Sequence, residues 1–299
     1  MYISEQEVRQ HLSYEALIPA IRQALVDYSS GLVDQPPRVI LRAGNAEGAH
    51  NGWFAVMPVI AGDWMGVKTV TFYPGNAERG LPTHMAVIEL LSRATGEPVA
   101  VIDGRLITEM RTAAVSAVAF AAISPLHFAA PPTSLGILGS GVQAHAHIDA
   151  LRHVWPALEE IRIWSRTREN AQRLALATGA NAVAIEEAAA ADVVLTATSA
   201  SQPILQGRWL SPHALVLAVG ATGSTLRELD DEVMHSSFVV AESRSCVERE
   251  SGDVRLSGAS VAAVLPLNGR IVFKSVGMAI EDLTAARLVW ESGETGRPD

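Results

Sequence analysis

Apolar and polar positions do not keep one period along this chain. Residues 4–30 follow a helical period, with Leu17, Ile18, Ile21, Ala24 and Leu25 on one face. Gly31 closes that segment, and Pro36-Pro37 forces extended backbone before Arg38. The pattern then becomes short and alternating, predicting strands at 38–42, 53–58, 64–72, 85–91 and 99–102, with glycines between them and a turn over 94–98. Residues 106–123 return to a helical pattern rich in alanine. Pro125, Pro131 and Pro132 are expected to break it and to mark a domain border.

Beyond Pro132 the alternation is regular. Strands are expected at 134–138, 161–164, 182–184, 193–197, 215–219 and 238–241. Helices are expected at 143–153, 168–177 and 186–190, with a capped piece at 228–235. Short strands alternating with helices predict βαβ units and a parallel sheet. Residues 273–277 and a helix over 278–290 lie outside this alternation and are expected to return to the first domain. The expected fold is therefore α/β, with a mixed α+β domain at 1–124 and 275–299. A Rossmann domain is expected at 125–274.

Composition narrows the classes. Hydrophobic residues make up 48% and charged residues 18%, which is globular usage. A net charge of −9, with no run of Lys or Arg, gives no footprint for nucleic acid. The single cysteine, Cys246, cannot form an internal disulfide and suits a reducing compartment. The N-terminal residues lack a basic region followed by an apolar stretch, and the apolar segment 113–123 is about half the length of a spanning helix. A cytoplasmic location without a membrane partner is expected.

The first strand of the regular region ends in Gly139-Ser140-Gly141-Val142-Gln143-Ala144, a G-x-G-x-x-A turn that leads into a helix. The first glycine permits the tight turn, the second lets backbone approach a pyrophosphate, and the small Ala144 lets helix and strand pack closely. The helix N-terminus would present its free N–H groups to the phosphates. The second strand ends in Ser165-Arg166-Thr167, where an NAD-selecting site would carry Asp or Glu. Two hydroxyls and a guanidinium suit a 2′-phosphate instead, so NADPH is expected ahead of NADH. The same residues could equally be a solvated helix start capped by Ser165 or Thr167. Thr198 and the loop Gly220-Ala221-Thr222-Gly223 follow later strands, where ligands of open α/β sheets bind.

Other residues carry possible chemistry. Lys68 lies in the apolar strand 65–72, so it is either on an exposed strand face or a buried, paired ammonium. In the second case it is a candidate general acid or carboxylate anchor. Arg111, in an alanine-rich helix, suits bidentate carboxylate binding. His84 is either a cofactor contact or an ordinary polar residue. His145 and His147, two apart on a helix, do not face one another, and no metal site is expected.

Several segments together resemble the ornithine cyclodeaminase/mu-crystallin family. They are Pro37-Arg38, Met57-Pro58, Gly66-Val67-Lys68, Leu81-Pro82-Thr83-His84, Thr95-Gly96-Glu97-Pro98 and Thr108-Glu109-Met110-Arg111-Thr112. Further along come the glycine turn, Arg227-Glu228-Leu229-Asp230, Glu250-Ser251-Gly252-Asp253 and Phe273-Lys274-Ser275-Val276-Gly277. The resemblance implies a homodimer, a substrate/dimerisation domain beside a Rossmann domain, and a small imino or amino acid as substrate. It places Arg38, Lys68 and Arg111 around that substrate, with Glu250 and Thr222 nearby and Lys68 catalytic. It gives the cofactor Thr83, His84, Arg111, Thr112, Gly139, Ser140, Gly141, Val142, Gln143, Ser165, Arg166, Thr167, Thr198 and Ser275.

Two departures refine this. Family cyclodeaminases carry an acidic residue where this chain has Thr222, and Glu where it has Ala55. Losing ammonia from a diamino acid needs a group to manage protons at nitrogen, and threonine is no carboxylate. The resemblance thus points to NADPH-dependent reduction of a cyclic ketimine carboxylate to L-proline or L-pipecolate. The alternatives are an amino-acid dehydrogenase acting on alanine or an N-alkyl amino acid, ornithine cyclodeaminase, and a non-catalytic NADPH-binding crystallin-like protein.

Overall fold

The computed structural model describes residues 1–44, 52–261 and 268–294. They form two compact units, Met1–Arg111 with Met278–Asp299, and Thr112–Gly277.

The first unit opens with β1 (Tyr2–Ile3), α1 (Glu5–His11) and α2 (Tyr14–Ser29). Ser4 and Glu7 cap α1 reciprocally, and the Ser13 hydroxyl accepts from the Ala16 N–H at the start of α2. The strands β2 (Val33–Asp34), β3 (Val39–Arg42), β4 (Trp53–Ala61), β5 (Trp64–Phe72), β6 (His84–Ser92) and β7 (Pro98–Asp103) follow. They form one sheet in the order β1-β7-β6-β5-β4-β2, with β3 on β4. All pairs are antiparallel except β1 with β7.

The two-residue period of these strands sorts their faces. Met57, Lys68 and Ile88 form one cross-strand row, and all three are buried. The rows Val56-Thr69-Val87 and Phe54-Thr71-Met85 point to the opposite face and are half-buried or exposed. The buried face packs against the carboxy-terminal helix, which α2 also touches.

The long helix α3 (Arg105–His127) contains the border between the two units. It runs through Pro125 instead of ending before it. Pro125 sits in the last turn, where few backbone bonds remain to be lost. The two compact units divide within α3, at Arg111 and Thr112. This helix is long and apolar enough to cross a membrane by length and composition, but 67% of its apolar window is buried in the fold.

The second unit alternates as expected. It contains β8 (Ser134–Leu138), α4 (Val142–Val154), β9 (Glu160–Trp164), α5 (Arg168–Thr178), β10 (Asn181–Ala182), α6 (Ile185–Ala189), β11 (Val193–Thr196) and β12 (Leu215–Ala218). Then come α7 (Asp231–Ser236), β13 (Ser237–Ala241), α8 (Arg244–Glu250), α9 (Gly252–Ser257) and β14 (Arg270–Lys274). The sheet is wholly parallel in the order β10-β9-β8-β11-β12-β14-β13. Its order reverses between β8 and β11, the point where a doubly wound sheet opens its ligand crevice.

Two segments depart from the sequence expectation. Residues 270–274 are a strand inside the sheet, between β12 and β13, so Phe273 and Lys274 belong to the sheet and not to the tail. The helix expected at 228–235 begins only at Asp231, because the Glu228 carbonyl accepts from the Ile204 and Leu205 N–H groups and the Asp230 side chain caps the helix at the Val233 N–H. The last described element is α10 (Ala279–Glu294), in the first unit.

Candidate active site

The site residues fall in both units, and each set is built within its own. In the first unit Lys68 occupies a core position of β5, between Gly66 and Val70. It is the buried lysine of the two readings, only 3% exposed. Its Nζ lies 2.6 Å from Asp282 Oδ2 on α10. The Asp282 Oδ1 accepts from Arg111 Nε at 2.9 Å, and Arg111 Nη1 donates to Glu281 Oε2 at 2.7 Å. One carboxylate therefore bridges the ammonium and the guanidinium.

α10 must come close to β5 for this. A Cβ on Gly66 would lie 2.9 Å from Leu283 Cδ1 and 2.9 Å from the Glu89 carbonyl, so glycine is what lets the helix approach. The Ile280 N–H donates to Gln35 Oε1 at 2.9 Å, which satisfies one free donor of the helix start.

Charge and burial act against each other here. Burial lowers the Lys68 pKa to about 8, assisted by the Arg111 and Arg38 charges, while Asp282 opposes the shift. For Asp282, burial favours the neutral acid, but Arg111 and Lys68 outweigh it and hold the carboxyl below its ordinary range. His84, the first residue of β6, is lowered to about 4 by burial and by the Lys68 and Arg111 charges, so its imidazole is neutral at neutral pH. Thr83, just before it, is half-buried, and its carbonyl accepts from the Tyr73 N–H.

In formal charges, Lys68, Arg111 and Arg38 carry three positives against two negatives on Asp282 and Glu281. Arg111 was expected to grip the substrate carboxylate, yet its guanidinium already holds two protein carboxylates.

In the second unit the glycine turn has the geometry a dinucleotide needs. Gly139 has φ +132, and a Cβ there would meet the Ala197 carbonyl oxygen at 2.5 Å. A Cβ on Gly141, the N-cap of α4, would meet nothing within 4 Å, so the space over the turn is open. No side chain caps α4, which leaves the N–H groups of Val142 and Gln143 facing outward. These residues fit a pyrophosphate. The cleft beside them, about 450 Å³, is also lined by His145, Asn170 and Arg173.

At the end of β9 the Ser140 hydroxyl donates to the Ser165 hydroxyl at 2.8 Å, tying the turn to the next strand. Arg166 and Thr167 are exposed. Thr167 is the N-cap residue of α5 but makes no side-chain cap, so the simple capping explanation for this triplet does not hold. Behind the turn, His147 is fully buried. Its Nδ1 lies 2.7 Å from the Gln143 carbonyl, and its Nε2 lies 3.0 Å from the Ser116 hydroxyl. The carbonyl can only accept, so Nδ1 carries the proton and Nε2 accepts from Ser116. Burial lowers this histidine to about 4.

At the carboxyl ends of β11, β12 and β14 lies a buried polar network that joins Thr198, expected at the cofactor, to Glu228, Asp253 and Lys274, which sequence reasoning did not assign to the site. Glu228, wholly buried, accepts from the Thr196 hydroxyl at 2.7 Å, and from the Thr198 N–H at 2.7 Å and hydroxyl at 2.6 Å. Burial raises its pKa, opposed by Lys274 and these hydrogen bonds. Lys274 Nζ donates to the Gly220 carbonyl at 2.8 Å and lies 3.1 Å from Asp253 Oδ2.

The network fixes the loop that carries Thr222. A Cβ on Gly220 would meet both Glu228 Oε1 and the Thr198 carbonyl at 2.4 Å. Ala221 has φ +52, the single non-glycine residue with positive φ among those described. Thr222 is exposed and bridges Ser251, which places it beside Glu250, the last residue of α8. Ser275, expected at the cofactor, is 1% exposed and donates to Glu242 Oε2 at 2.6 Å. Thr112, also expected there, is half-buried on α3.

Three comparisons bear on this arrangement. Residues 1–297 match the model of the ornithine cyclodeaminase/mu-crystallin family. The chain is 40% identical to ketimine reductase mu-crystallin of Rattus norvegicus over 99% of this chain and 98% of that one. It is 33% identical to the Delta(1)-pyrroline-2-carboxylate/Delta(1)-piperideine-2-carboxylate reductase of Azospirillum brasilense over 92% of this chain and 90% of that one. The chain belongs to the ornithine cyclodeaminase/mu-crystallin family. The fold also matches the Delta(1)-pyrroline-2-carboxylate reductase of Thermococcus litoralis, solved with NADH and L-proline. The TM-score is 0.87 at 27% identity, covering 99% of this chain and 98% of that one.

For the network in the second unit, Lys274→Met is expected to cost about 3–5 kcal/mol, because it leaves the Asp253 carboxylate buried without its cation. Thermal unfolding would register this as a large fall in midpoint. A midpoint within a degree or two of wild type would show that the pair carries little of the stability.

Proposed function

We propose that this oxidoreductase uses NADPH to reduce cyclic ketimine carboxylates, Δ1-pyrroline-2-carboxylate or Δ1-piperideine-2-carboxylate, to L-proline or L-pipecolate. The observation that carries the reading is Lys68, a buried ammonium held by Asp282 and lowered to about 8, close to operating pH. A bound reduced nicotinamide supplies hydride to the C=N carbon. Lys68 supplies the proton that the nitrogen takes as the C–N double bond becomes single. Arg38, beside the cations Lys68 and Arg111, holds the substrate carboxylate and so orients the ring. The neutral His84 adds no further positive charge to this set. Thr222, without a carboxylate, cannot manage a departing amine, which weighs against cyclodeamination.

The reading for NADPH rests on the end of β9. No carboxylate stands at 165–167 to bind a free 2′-hydroxyl, and the exposed Arg166 is available to a phosphate. The homodimer reading has its own support. The outer rows of the first sheet carry Met85 and Val87, 43% and 39% exposed, and β3 exposes Val39, Ile40 and Leu41 at 54–57%. A surface this apolar suits a second copy of the chain.

Purified protein with NADPH and pyrroline-2-carboxylate is expected to yield L-proline. Lys68→Ala should lower kcat/KM by about 10²–10⁴-fold. Because Lys68 is lowered and must be protonated to donate, activity is present below its pKa and falls as pH rises through about 8. Equal rates for wild type and Lys68→Ala would sink the assignment. Pyruvate with ammonia, turned over in place of the ketimines, would favour an alanine dehydrogenase.

Arg166→Ala is expected to raise KM for NADPH by about tenfold, from the loss of one charge-assisted contact. KM for NADH should hardly change, and an equal effect on both cofactors would remove Arg166 from phosphate recognition. In sedimentation equilibrium the wild type should run as two chains and Ile40→Asp should shift toward one, whereas a monomeric wild type would refute the dimer.

A further inference from the structure

The full chain has 23 Lys and Arg residues, and only Lys68 and Lys274 are lysines. Both are buried, at 3% and 0% exposure, and each faces an aspartate, at 2.6 Å and 3.1 Å. Lysine is thus kept for places where a compact ammonium is enclosed, and arginine serves elsewhere. Lys274 ties a carbonyl and a carboxylate inside one network. Lys68 differs, because its partner Asp282 holds a second cation as well.

Asp282 is fixed from several sides. Its Oδ1 accepts from Arg111 Nε, whose guanidinium also donates to Glu281 and so cannot turn freely. Glu281 and Asp282 lie in the first turn of α10, where the helix dipole favours negative charge. The Gly66–Leu283 approach, two residues from Lys68 on one side and next to Asp282 on the other, sets the closeness of helix and strand. The remaining oxygen, Oδ2, therefore has one place to be, and Lys68 Nζ is there.

We propose that Asp282 is the positioning residue of this site, its carboxylate clamping the Lys68 ammonium at one point against Arg111. The proposal rests on the reductase reading for its consequence in turnover, but the clamp itself does not. Besides Asp282, the charges that act on Lys68 are the cations Arg111 on α3 and Arg38 ahead of β3; the neutral His84 on β6 adds none, and the Glu281 carboxylate is engaged by Arg111. Those cations and burial disfavour an ammonium, and Asp282 is the named group that opposes them. Without Asp282 the lysine would deprotonate at lower pH and lose its fixed direction.

The two-lysine sequence makes the test direct. Protein grown with lysine labelled with carbon-13 at Cε and nitrogen-15 at Nζ gives two side-chain signals, and Lys68→Met assigns them. In wild type the Lys68 signal should titrate near pH 8. In Asp282→Asn the midpoint should fall by at least about one pH unit, while the Lys274 signal keeps its position and reports an intact fold. Unchanged midpoints, or a wild-type midpoint at the ordinary ~10.4, would overturn the proposal. Wild type also offers a check that needs no variant to fold. The ammonium protons of Lys68 should exchange slowly enough to be seen at neutral pH, and their loss to fast exchange would equally overturn the clamp. In turnover, the alkaline limb of kcat/KM should move down in Asp282→Asn together with the Lys68 midpoint. Should no ketimine be reduced while the midpoint moves as expected, the reductase reading fails and the clamp stands.

Discussion

A charge removed from water must find its counter-charge within a few ångströms, and that requirement organises the first unit. Lys68 stands in a cross-strand row with Met57 and Ile88, where the period of the sheet would otherwise place an apolar residue. An isolated ammonium there would cost several kcal/mol even after relaxation. The Asp282 carboxylate offsets part of that cost and brings Arg111 with it. Much else in the unit serves this contact. Gly66 admits the helix, Gln35 satisfies its start, and the short strands hold the lysine in register.

The second unit meets a different constraint, which is space. Parallel strands buried on both faces leave the ends of the sheet as the places where polar chemistry can sit. At β8 the glycine turn opens room over Gly141, while Gly139 lies against the Ala197 carbonyl. At β11, β12 and β14 the same sheet edge is closed by Glu228, Asp253 and Lys274. At this one end of the sheet the part over β8 is left open for a ligand and the part over β11, β12 and β14 is locked, so Ala221 beside Thr222 is held at its positive φ.

The fold was legible in the sequence because its signals are periodic. Strand β5 matches its expected bounds at both ends, and so does β8. The misses have local causes. A proline breaks a helix in its middle but not in its last turn, and β14 was hidden because its apolar run, 271–273, is short and stands between the charged Arg270 and Lys274. The site was legible only in part. Lys68 and Arg111 stood out as cations among apolar residues, but their carboxylate partners come from α10, 170 or more positions along the chain from Arg111. The acidic pair Glu281-Asp282 in the first turn of α10 was a visible signal, although nothing local links it to Lys68. Glu228, Asp253 and Lys274 had the same character, and there too the pairing is a product of topology.

This difference separates what each half of the chain decides. A glycine turn is a statement about backbone and can be read from a few adjacent residues. Proton transfer depends on where an ammonium is held and at what pH it releases its proton, and both follow from contacts between distant segments. Replacing Lys68 by arginine would keep the charge but not the chemistry, since guanidinium does not give up a proton near neutral pH. A chain that uses arginine for nearly all its cations and keeps lysine at this buried point has reserved the titratable cation for the place where titration has a use.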